Sequence, residues 1–209
     1  MTERPTKRRH IAPAETRRKL IDATVACLVA FGYSGTTTQR VQTAAGVSRG
    51  ALLHHFPTKP DLFVGAIHYV AEVQAAQLRE LAERLPGAVP DPAGTDRITK
   101  AVGAVRQAMS GATFLAGVEL WLAARTDESL RATLMPAERQ VGKELGDIAR
   151  LLFGEPYASG PGFEIAFDSL LQLLRGLALT GVLRTNPHTE EQVIDAWITV
   201  FPALCARTP

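Results

Sequence analysis

Apolar residues along this chain recur every three or four positions, which is the spacing of amphipathic helices. The first such helix is predicted over residues 16–31, and its apolar stripe runs from Leu20 to Phe31 before Gly32 ends it. No segment of the sequence alternates with the two-residue period of a strand, so the predicted fold class is all-α. The same helical period predicts later helices over residues 61–85, 96–109, 112–125, 128–153, 163–183 and 189–204.

Two shorter helices are predicted between the first two of these elements, where residues 36–59 carry the sequence TTTQRVQTAAGVSRGALLHHFPTK. Thr36 and Thr37 offer hydroxyls that cap the first short helix, and Gly46 suits the left-handed conformation that ends it. Ser48 caps the second short helix after a sharp turn. Helical spacing places Ala51, Leu52, His55 and Phe56 on its inward stripe, and Arg49, Gly50, Leu53 and His54 on its outward face.

Four motifs follow one another from Gly32 to Phe63, namely G-Y-S-G-T-T, A-G-V-S-R-G, H-H-F-P-T-K and D-L-F. In this order they resemble the N-terminal DNA-binding domain of the TetR family of bacterial transcriptional regulators. The resemblance implies a three-helix helix-turn-helix domain in which the second short helix enters the major groove as the recognition helix. It also implies a larger helical domain that binds a small-molecule effector and forms a dimer.

The resemblance further implies which side chains meet DNA. One position departs from the family pattern, because Leu53 stands where a tyrosine is usual and a phosphate-contacting hydroxyl is therefore missing. Leu53 either touches a thymine methyl group or packs within the protein. The matching positions are Thr36 and Thr37 at a phosphate, Gln39 near the backbone or a base, Ser48, Arg49 and Gly50 at the groove, and His54 and Lys59 at phosphates.

The residues alone leave simpler interpretations open at several of these positions. In the simpler interpretation, Thr37 caps the helix without contacting DNA, and Arg49 is a solvated charge. Neighbouring helical positions such as His54 and His55 point about 100° apart, and no third ligand lies nearby in the sequence. No metal site is therefore predicted.

Charge is distributed unevenly along the chain, which supports a nucleic-acid partner. Residues 1–60 contain ten lysine or arginine residues against three acidic ones, whereas residues 61–209 contain thirteen against eighteen. The net charge of +2 is thus the sum of a basic N-terminal part, residues 1–60, and an acidic remainder, residues 61–209. We call these two parts the head and the body. A basic head steers the protein toward the phosphate backbone of DNA.

Residues 1–10, MTERPTKRRH, are basic, contain a proline and lack an apolar period. They predict a disordered basic arm over residues 1–14, which is either a solvated tail or an arm that reaches into the neighbouring minor groove. The rest of the chain is predicted to divide into a helix-turn-helix DNA-binding domain over residues 15–60 and a helical effector-binding and dimerisation domain over residues 61–209.

The two C-terminal helices carry more apolar surface than one core can cover. Between Leu170 and Leu183 the chain has eight leucine or valine residues, and small residues at Gly176, Ala178 and Gly181 permit close approach of another helix. Similar helices of TetR-like proteins pair with their copies in a four-helix interface. We therefore predict a homodimer through these helices, with a wholly intramolecular core as the alternative.

The body also contains candidates for an effector pocket. Apolar and aromatic residues cluster over residues 109–122, and Gln172 and Arg175 place polar groups on an otherwise apolar helix. Such residues more often form a packed core, and Glu119 either anchors a cationic ligand or forms a structural salt bridge with Arg125 or another helix. The predicted effector is apolar or amphipathic. The candidate ligand-binding residues are Met109, Phe114, Leu115, Val118, Trp121, Leu122, Gln172 and Arg175.

Three classes of function are compatible with these features. The first is a ligand-responsive dimeric repressor of a palindromic double-stranded DNA operator, and the second is an architectural DNA-binding protein without an effector. The third is an enzyme tethered to DNA, but the sequence has no G-x-S-x-G motif, P-loop, dinucleotide fingerprint or metal-ligand spacing. We therefore expect neither catalysis nor a cofactor. A cavity in the body would separate the first class from the second.

Targeting signals are not predicted. No apolar run reaches the roughly 18 residues of a membrane span, and the best candidate, residues 163–183, is interrupted by polar and charged side chains. The N-terminus is charged with no apolar segment behind it, unlike a signal peptide. Cys27 and Cys205 stand far apart without a pairing motif, as expected of reduced thiols. These features predict a cytoplasmic protein without a membrane partner.

Overall fold

The computed structural model describes residues 13–84, 95–183 and 188–207, and these ranges contain nine helices and no strand. The all-α prediction is confirmed, and each predicted helix is present with ends shifted by a few residues. The proposed basic arm lies mostly outside the described residues, and its last two residues already belong to the first helix. The helices are α1 Pro13–Gly35, α2 Thr38–Ala45, α3 Arg49–His55, α4 Lys59–Arg84, α5 Thr95–Ala108, α6 Gly111–Ala123, α7 Glu128–Phe153, α8 Phe163–Gly181 and α9 His188–Cys205.

Helix α1 is interrupted at Gly32, where φ is 64° and ψ is −177°. This left-handed φ favours glycine because a side chain would be strained there. A Cβ atom at this position would also lie 2.7 Å from a carboxylate oxygen of Glu119 in α6. The sequence correctly marked Gly32 as the end of the regular helix, and the short segment beyond it leads directly into α2.

Helices α1 to α3 and the start of α4 share a core with α6 and α7. Leu20 and Leu28 of α1 and Leu62 of α4 are fully or almost fully buried. Leu120 of α6 and Leu130 of α7 belong to the same buried cluster. The head therefore packs directly onto the body across a continuous apolar core, and α4 is not its sole connection to the body.

The second core fills the far end of the body, between α4, α5, α7, α8 and α9. Its centre is an aromatic cluster in which the ring of Phe153 lies 4.7 Å from that of Phe201, measured between centroids. Trp197 of α9 is buried in this cluster, and its indole N–H donates a 3.0 Å hydrogen bond to the Ser169 hydroxyl of α8. Helices α8 and α9 are thus fixed against each other. Cys27 and Cys205 are both free and buried.

Helices α8 and α9 both carry exposed apolar residues. Ile165 and Leu179 on α8, and Val200 on α9, expose 62%, 42% and 48% of their surface. Leu183, just past the end of α8, is 87% exposed, and nothing lies within 4 Å of a Cβ atom built at Gly176. Single exposed apolar residues are ordinary, but several on two neighbouring helices are unusual for a monomer. Within the described ranges, no helix combines the length and apolarity needed to cross a bilayer.

Candidate DNA-binding face and effector cavity

The turn between α2 and α3 is formed by three local caps. The Thr37 hydroxyl accepts a 3.2 Å hydrogen bond from the amide of Arg40 and begins α2. Gly46 ends α2 with φ 64°, and the Ser48 hydroxyl accepts a 3.2 Å hydrogen bond from the amide of Ala51 to begin α3. These caps confirm the predicted local structure, because each depends only on residues a few positions apart.

The outward face of α3 is available to a groove of DNA. Arg49, Gly50, Leu53 and His54 are exposed, whereas Leu52 on the opposite side is 1% exposed. No atom lies within 4 Å of a Cβ atom built at Gly50, so the backbone there is open to close approach. Gln39 on α2 and Ser48 at the start of α3 are also exposed. The structure therefore brings most of the candidate DNA-binding residues to the surface of the helix-turn-helix.

Two candidate DNA contacts are placed differently from the expectation. Thr36 is completely buried, and its hydroxyl donates a 2.8 Å hydrogen bond to the carbonyl of Gly32, so it neither caps α2 nor reaches a phosphate. The reason is the break in α1, which turns Thr36 inward. The Lys59 ammonium lies over the Tyr33 and Phe63 rings, 4.8 Å and 5.0 Å from their centroids. Contact with a phosphate therefore competes with this cation–π site.

Arg40 is an exposed cation on α2 that the sequence motifs did not single out as a DNA contact. Its guanidinium lies 4.2 Å from the centroid of the Phe31 ring and donates a hydrogen bond to the carbonyl of Gly35. It lines a surface groove together with Thr37 and Gln39. The clue in the sequence was its position directly after Gln39, inside the motif-bearing segment.

Glu119 and Asp127 join the end of α1 to the body. The Tyr33 amide donates a 2.7 Å hydrogen bond to the Glu119 carboxylate, and the Tyr33 hydroxyl donates a 2.9 Å hydrogen bond to Asp127. Asp127 also caps α7 by accepting a 2.9 Å hydrogen bond from the amide of Leu130. Glu119 thus contacts another helix through a backbone amide, rather than through the salt bridge that the sequence suggested.

The electrostatics of this junction favour a neutral tyrosine beside an ionised aspartate. Burial raises the pKa of the Tyr33 hydroxyl to about 12, and the hydrogen bond to Asp127 and the charge of that carboxylate act in the same direction. The pKa of Asp127 is lowered, first by the hydrogen bond from the amide of Leu130 and then by that from Tyr33.

A cavity of about 100 Å³ lies in the body between α4, the end of α5, α6, α7 and α8. Its walls are mainly apolar, and the rings of Phe114 and Trp121 meet edge to face with their centroids 6.1 Å apart. Polar or charged groups enter the wall at five positions. These are His68, Gln74, Thr113, Glu138 and Arg175.

Four of the eight candidate ligand-binding residues line this cavity, namely Met109, Phe114, Trp121 and Arg175. The other four do not, because helical periodicity places them on different faces. On α6 the lining stripe is Thr113, Phe114, Gly117 and Trp121, and the remaining α6 candidates lie off that stripe. Those are Leu115, the buried Val118, and Leu122, which is 52% exposed. On α8, Gln172 is exposed and lies on a different face from Arg175.

The sequence did not identify the contributions of α4 and α7 to the cavity. His68 and Gln74 of α4 and Glu138 of α7 look in the sequence like members of solvated helix faces. Only the packing of α4 along α7 turns them toward a common space. No arithmetic on residue spacing within one helix gives that information.

Arg175 is one of the charged groups in the cavity wall. Its guanidinium carbon lies 5.0 Å from the centroid of the Trp121 ring, and its Nε atom is buried without a hydrogen-bond partner. Among the parts of the chain that the structure describes, no group of three or more acidic, histidine or cysteine side chains is arranged to hold a metal ion.

Comparisons with known proteins agree with this architecture. Residues 20–66 match the family model described as bacterial regulatory proteins, tetR family. An uncharacterised HTH-type transcriptional regulator of Mycobacterium tuberculosis is 31% identical over 189 residues, which cover 90% of this chain and 94% of that protein. The HTH-type transcriptional repressor AcnR of Corynebacterium glutamicum is 34% identical over 82 residues, which cover 38% of this chain and 44% of that protein.

A solved structure shows the same fold over nearly the whole chain. The transcriptional regulator FadR from Bacillus subtilis, in complex with stearoyl-CoA, has a TM-score of 0.65 at 14% identity, covering 91% of this chain and 98% of that chain. The exposed helix-turn-helix, the helical body and the full-length relative lead to one assignment. The chain belongs to the TetR family of bacterial transcriptional regulators.

Proposed function

We propose that this regulator is a repressor that binds a palindromic operator as a homodimer and is released from it by a small apolar or amphipathic effector. The observation that carries the proposal is the overlap between the cavity wall and the core of the head. Val64 and Leu134 line the cavity and also belong to the buried cluster that contains Leu20 and Leu52. A ligand that displaces these two side chains displaces the packing beneath the DNA-binding helices.

Recognition of DNA is assigned to α3 and the residues around it. Arg49 is suited to bidentate hydrogen bonds with a guanine, and Leu53 to contact with a thymine methyl group. Thr37, Gln39, Ser48, Gly50 and His54 are exposed nearby and are proposed to contact the DNA backbone or groove, with Lys59 as a further phosphate contact if it leaves its cation–π site. Acting on bacterial DNA, the protein would work in the cytoplasm.

The homodimer is proposed to form through the exposed faces of α8 and α9. The exposed Ile165, Leu179 and Val200 give these helices apolar surface, and the open space at Gly176 allows a helix to approach closely. A two-fold axis between these helices would present two copies of α3 to inverted half-sites of an operator. One copy of α3 alone offers too few base contacts for a specific operator.

Two helices are proposed to transmit the effector signal. Helix α4 begins in the core of the head with Leu62 and Phe63 and lines the cavity farther along, from Val64 to Leu78. Helix α6 lines the cavity with Trp121 and, two residues earlier, holds the end of α1 through Glu119. A ligand that binds the DNA-incompetent form about 100-fold more tightly contributes roughly 2.7 kcal/mol to release.

The names of the comparison proteins support two parts of this proposal. The Corynebacterium glutamicum relative is named a repressor, and the Bacillus subtilis structure contains stearoyl-CoA. The cavity itself argues against the architectural alternative, which requires a solid body.

Ligand titration combined with DNA binding tests the proposal. In a Trp197→Phe variant, Trp121 is the remaining tryptophan, so quenching or a spectral shift reports binding at the cavity wall. Compounds that change this signal should lower operator affinity, and operator DNA should lower their affinity by the same factor. A compound that binds at Trp121 and leaves operator affinity unchanged contradicts the repressor-release model. Thermal unfolding of the variant controls for loss of the Trp197–Ser169 hydrogen bond.

A further inference from the structure

From Arg175 we infer that the effector is a small apolar carboxylate, held by its carboxylate group at the guanidinium and by its apolar part at Trp121 and Phe114. This inference rests on the proposed role of the cavity as the effector site. It goes further by assigning the charge of the ligand and the residue that recognises it.

The first step is the incomplete hydrogen bonding of Arg175. A guanidinium has five N–H donors, and the Nε donor is buried without an acceptor. None of the hydrogen bonds and ion pairs between described side chains satisfies this residue, whose recorded contact is the stacking on Trp121 at 5.0 Å. A buried donor without an acceptor destabilises the protein unless a ligand completes it.

The second step is the fit between this donor set and a carboxylate. A planar guanidinium binds a carboxylate through two parallel charge-assisted hydrogen bonds, and one of them can use Nε. The wall is mainly apolar, and the Phe114 ring packs against that of Trp121, although His68, Gln74, Thr113 and Glu138 also line it. A single negative charge is therefore favoured over a multiply charged group, which this wall cannot solvate.

The third step is the charge beside the cavity. An open groove shares Trp121, Leu134 and Glu138 with the cavity, and its other lining residues are Ala124, Met135 and three arginines, Arg125, Arg131 and Arg139. Glu138 is the acidic group that faces both spaces, and it lies on the partly exposed, arginine-rich side. Arg131 is already paired with Glu128 at 3.6 Å, but Arg125, Arg139 and Arg175 still outnumber Glu138, so the local field favours an anion over a cation.

The fourth step is size. The cavity volume of about 100 Å³ is somewhat smaller than the ~150 Å³ cavity that accommodates benzene in an engineered protein. A ligand with one small ring therefore fits with modest movement of the walls. Trp121 and Phe114 provide aromatic surfaces against which such a ring can pack.

The test is a charge series of one shape, measured by calorimetry on the full chain with 4-ethylbenzoate, 4-ethylbenzamide and 4-ethylbenzylammonium. We expect the carboxylate to bind about tenfold or more tightly than the amide, and the ammonium to bind most weakly. In Arg175→Met the preference for the carboxylate should disappear while amide binding stays within about twofold. Arg79→Met, at an exposed position on a cavity-lining helix, is the matched control and should keep the preference.

A second measurement does not require a ligand. Because the buried Nε lacks a partner, Arg175→Met should raise the melting temperature of the unliganded protein by about 2–4 °C. A lower melting temperature would show that Arg175 has a structural role and would overturn the inference. Equal binding of carboxylate and amide, tightest binding of the ammonium, binding of none of the three, or a preference that survives Arg175→Met would also overturn it.

The outcomes separate this inference from the proposed function. If the amide or the ammonium releases operator DNA and the carboxylate does not, the effector is not a carboxylate but the repressor-release model stands. If the carboxylate binds through Arg175 and operator affinity does not change, the carboxylate site is supported and the release model fails.

Discussion

The backbone amide of Tyr33 donates a 2.7 Å hydrogen bond to the carboxylate of Glu119, 86 residues farther along the chain. This bond lies one residue after the break in α1 at Gly32, where a Cβ atom would collide with the same carboxylate. Glu119 is on α6, which two residues later carries Trp121 in the cavity wall. The contact therefore joins the segment that leads into the DNA-binding helices to the helix that would sense a ligand.

Breaking this contact should weaken the coupling between effector and operator. Glu119→Ala removes the acceptor of the Tyr33 amide and should reduce stability by about 1 kcal/mol, the value of one exposed hydrogen bond. Effector affinity should stay nearly constant, because Glu119 does not line the cavity. The factor by which effector lowers operator affinity should fall toward one in paired titrations. Glu83→Ala, an exposed acidic residue on α4, is the control, and an unchanged factor in Glu119→Ala would contradict the role of this bond.

The Tyr33–Asp127 hydrogen bond predicts a specific dependence of stability on alkaline pH. The folded state raises the pKa of Tyr33 from 10.0 to about 12, so the neutral hydroxyl stabilises the fold fully below pH 10 and this contribution is lost as pH rises toward 12. Tyr33→Phe lacks the hydroxyl and should be less stable than the parent by about 1 kcal/mol at neutral pH. The difference between the two proteins in chemical denaturation should shrink between pH 10 and pH 12. A difference that stays constant across that window would show that the bond does not control the titration of Tyr33.

The pKa of Asp127 is shifted in the opposite direction to that of Tyr33, so its effect on stability falls at acid pH. Its ionised form stabilises the fold above its ordinary pKa, and this contribution is lost as pH falls through the lowered folded value. Asp127→Asn should therefore lose less stability on acidification than the parent protein, measured by denaturation below pH 4. An identical acid dependence in both proteins would contradict this contribution.

Arg49 should determine sequence preference rather than general affinity. It is exposed on the outward face of α3, and Arg49→Ala should cost on the order of 1–3 kcal/mol on the operator and relax the choice at one base pair. Binding to random DNA should change less, which competition titrations against operator variants would measure. Equal losses on operator and random DNA would make Arg49 a phosphate contact.

Local structure in the head was predictable because it depends on neighbours in the sequence. The caps at Thr37, Gly46 and Ser48 follow from residue type at fixed offsets. Burial of Thr36 was not predictable in this way. It depends on the kink at Gly32, which in turn is held by a carboxylate from a distant helix.

Prediction of the cavity from the sequence was limited in the same way. Aromatic residues on α6 marked one wall correctly, since Phe114 and Trp121 line it, but the sequence could not decide which side of α6 faces inward at Leu115 and Leu122. His68 resembled a solvated residue because its partner wall, α7, is distant in sequence. Tertiary packing rather than composition determines which of these side chains meet.

A charge on the exposed face of the two C-terminal helices should separate the dimer. Leu179 and Val200 are 42% and 48% exposed in the single chain, so glutamate at both positions costs little in a monomer but places charges in a dimer interface. We expect the double variant Leu179→Glu, Val200→Glu to sediment as a folded monomer with weak operator binding. Leu151→Glu, at a 51% exposed leucine on α7, is the control. A double variant that remains dimeric would place the interface elsewhere.

A footprint of the purified protein on the DNA flanking its own gene tests the central claim most directly. The account predicts protection of two inverted half-sites whose centres lie about one or more helical turns apart, with affinity that falls steeply as salt increases. Protection of a single unrepeated half-site, or uniform coating of the DNA without a preferred sequence, would contradict it.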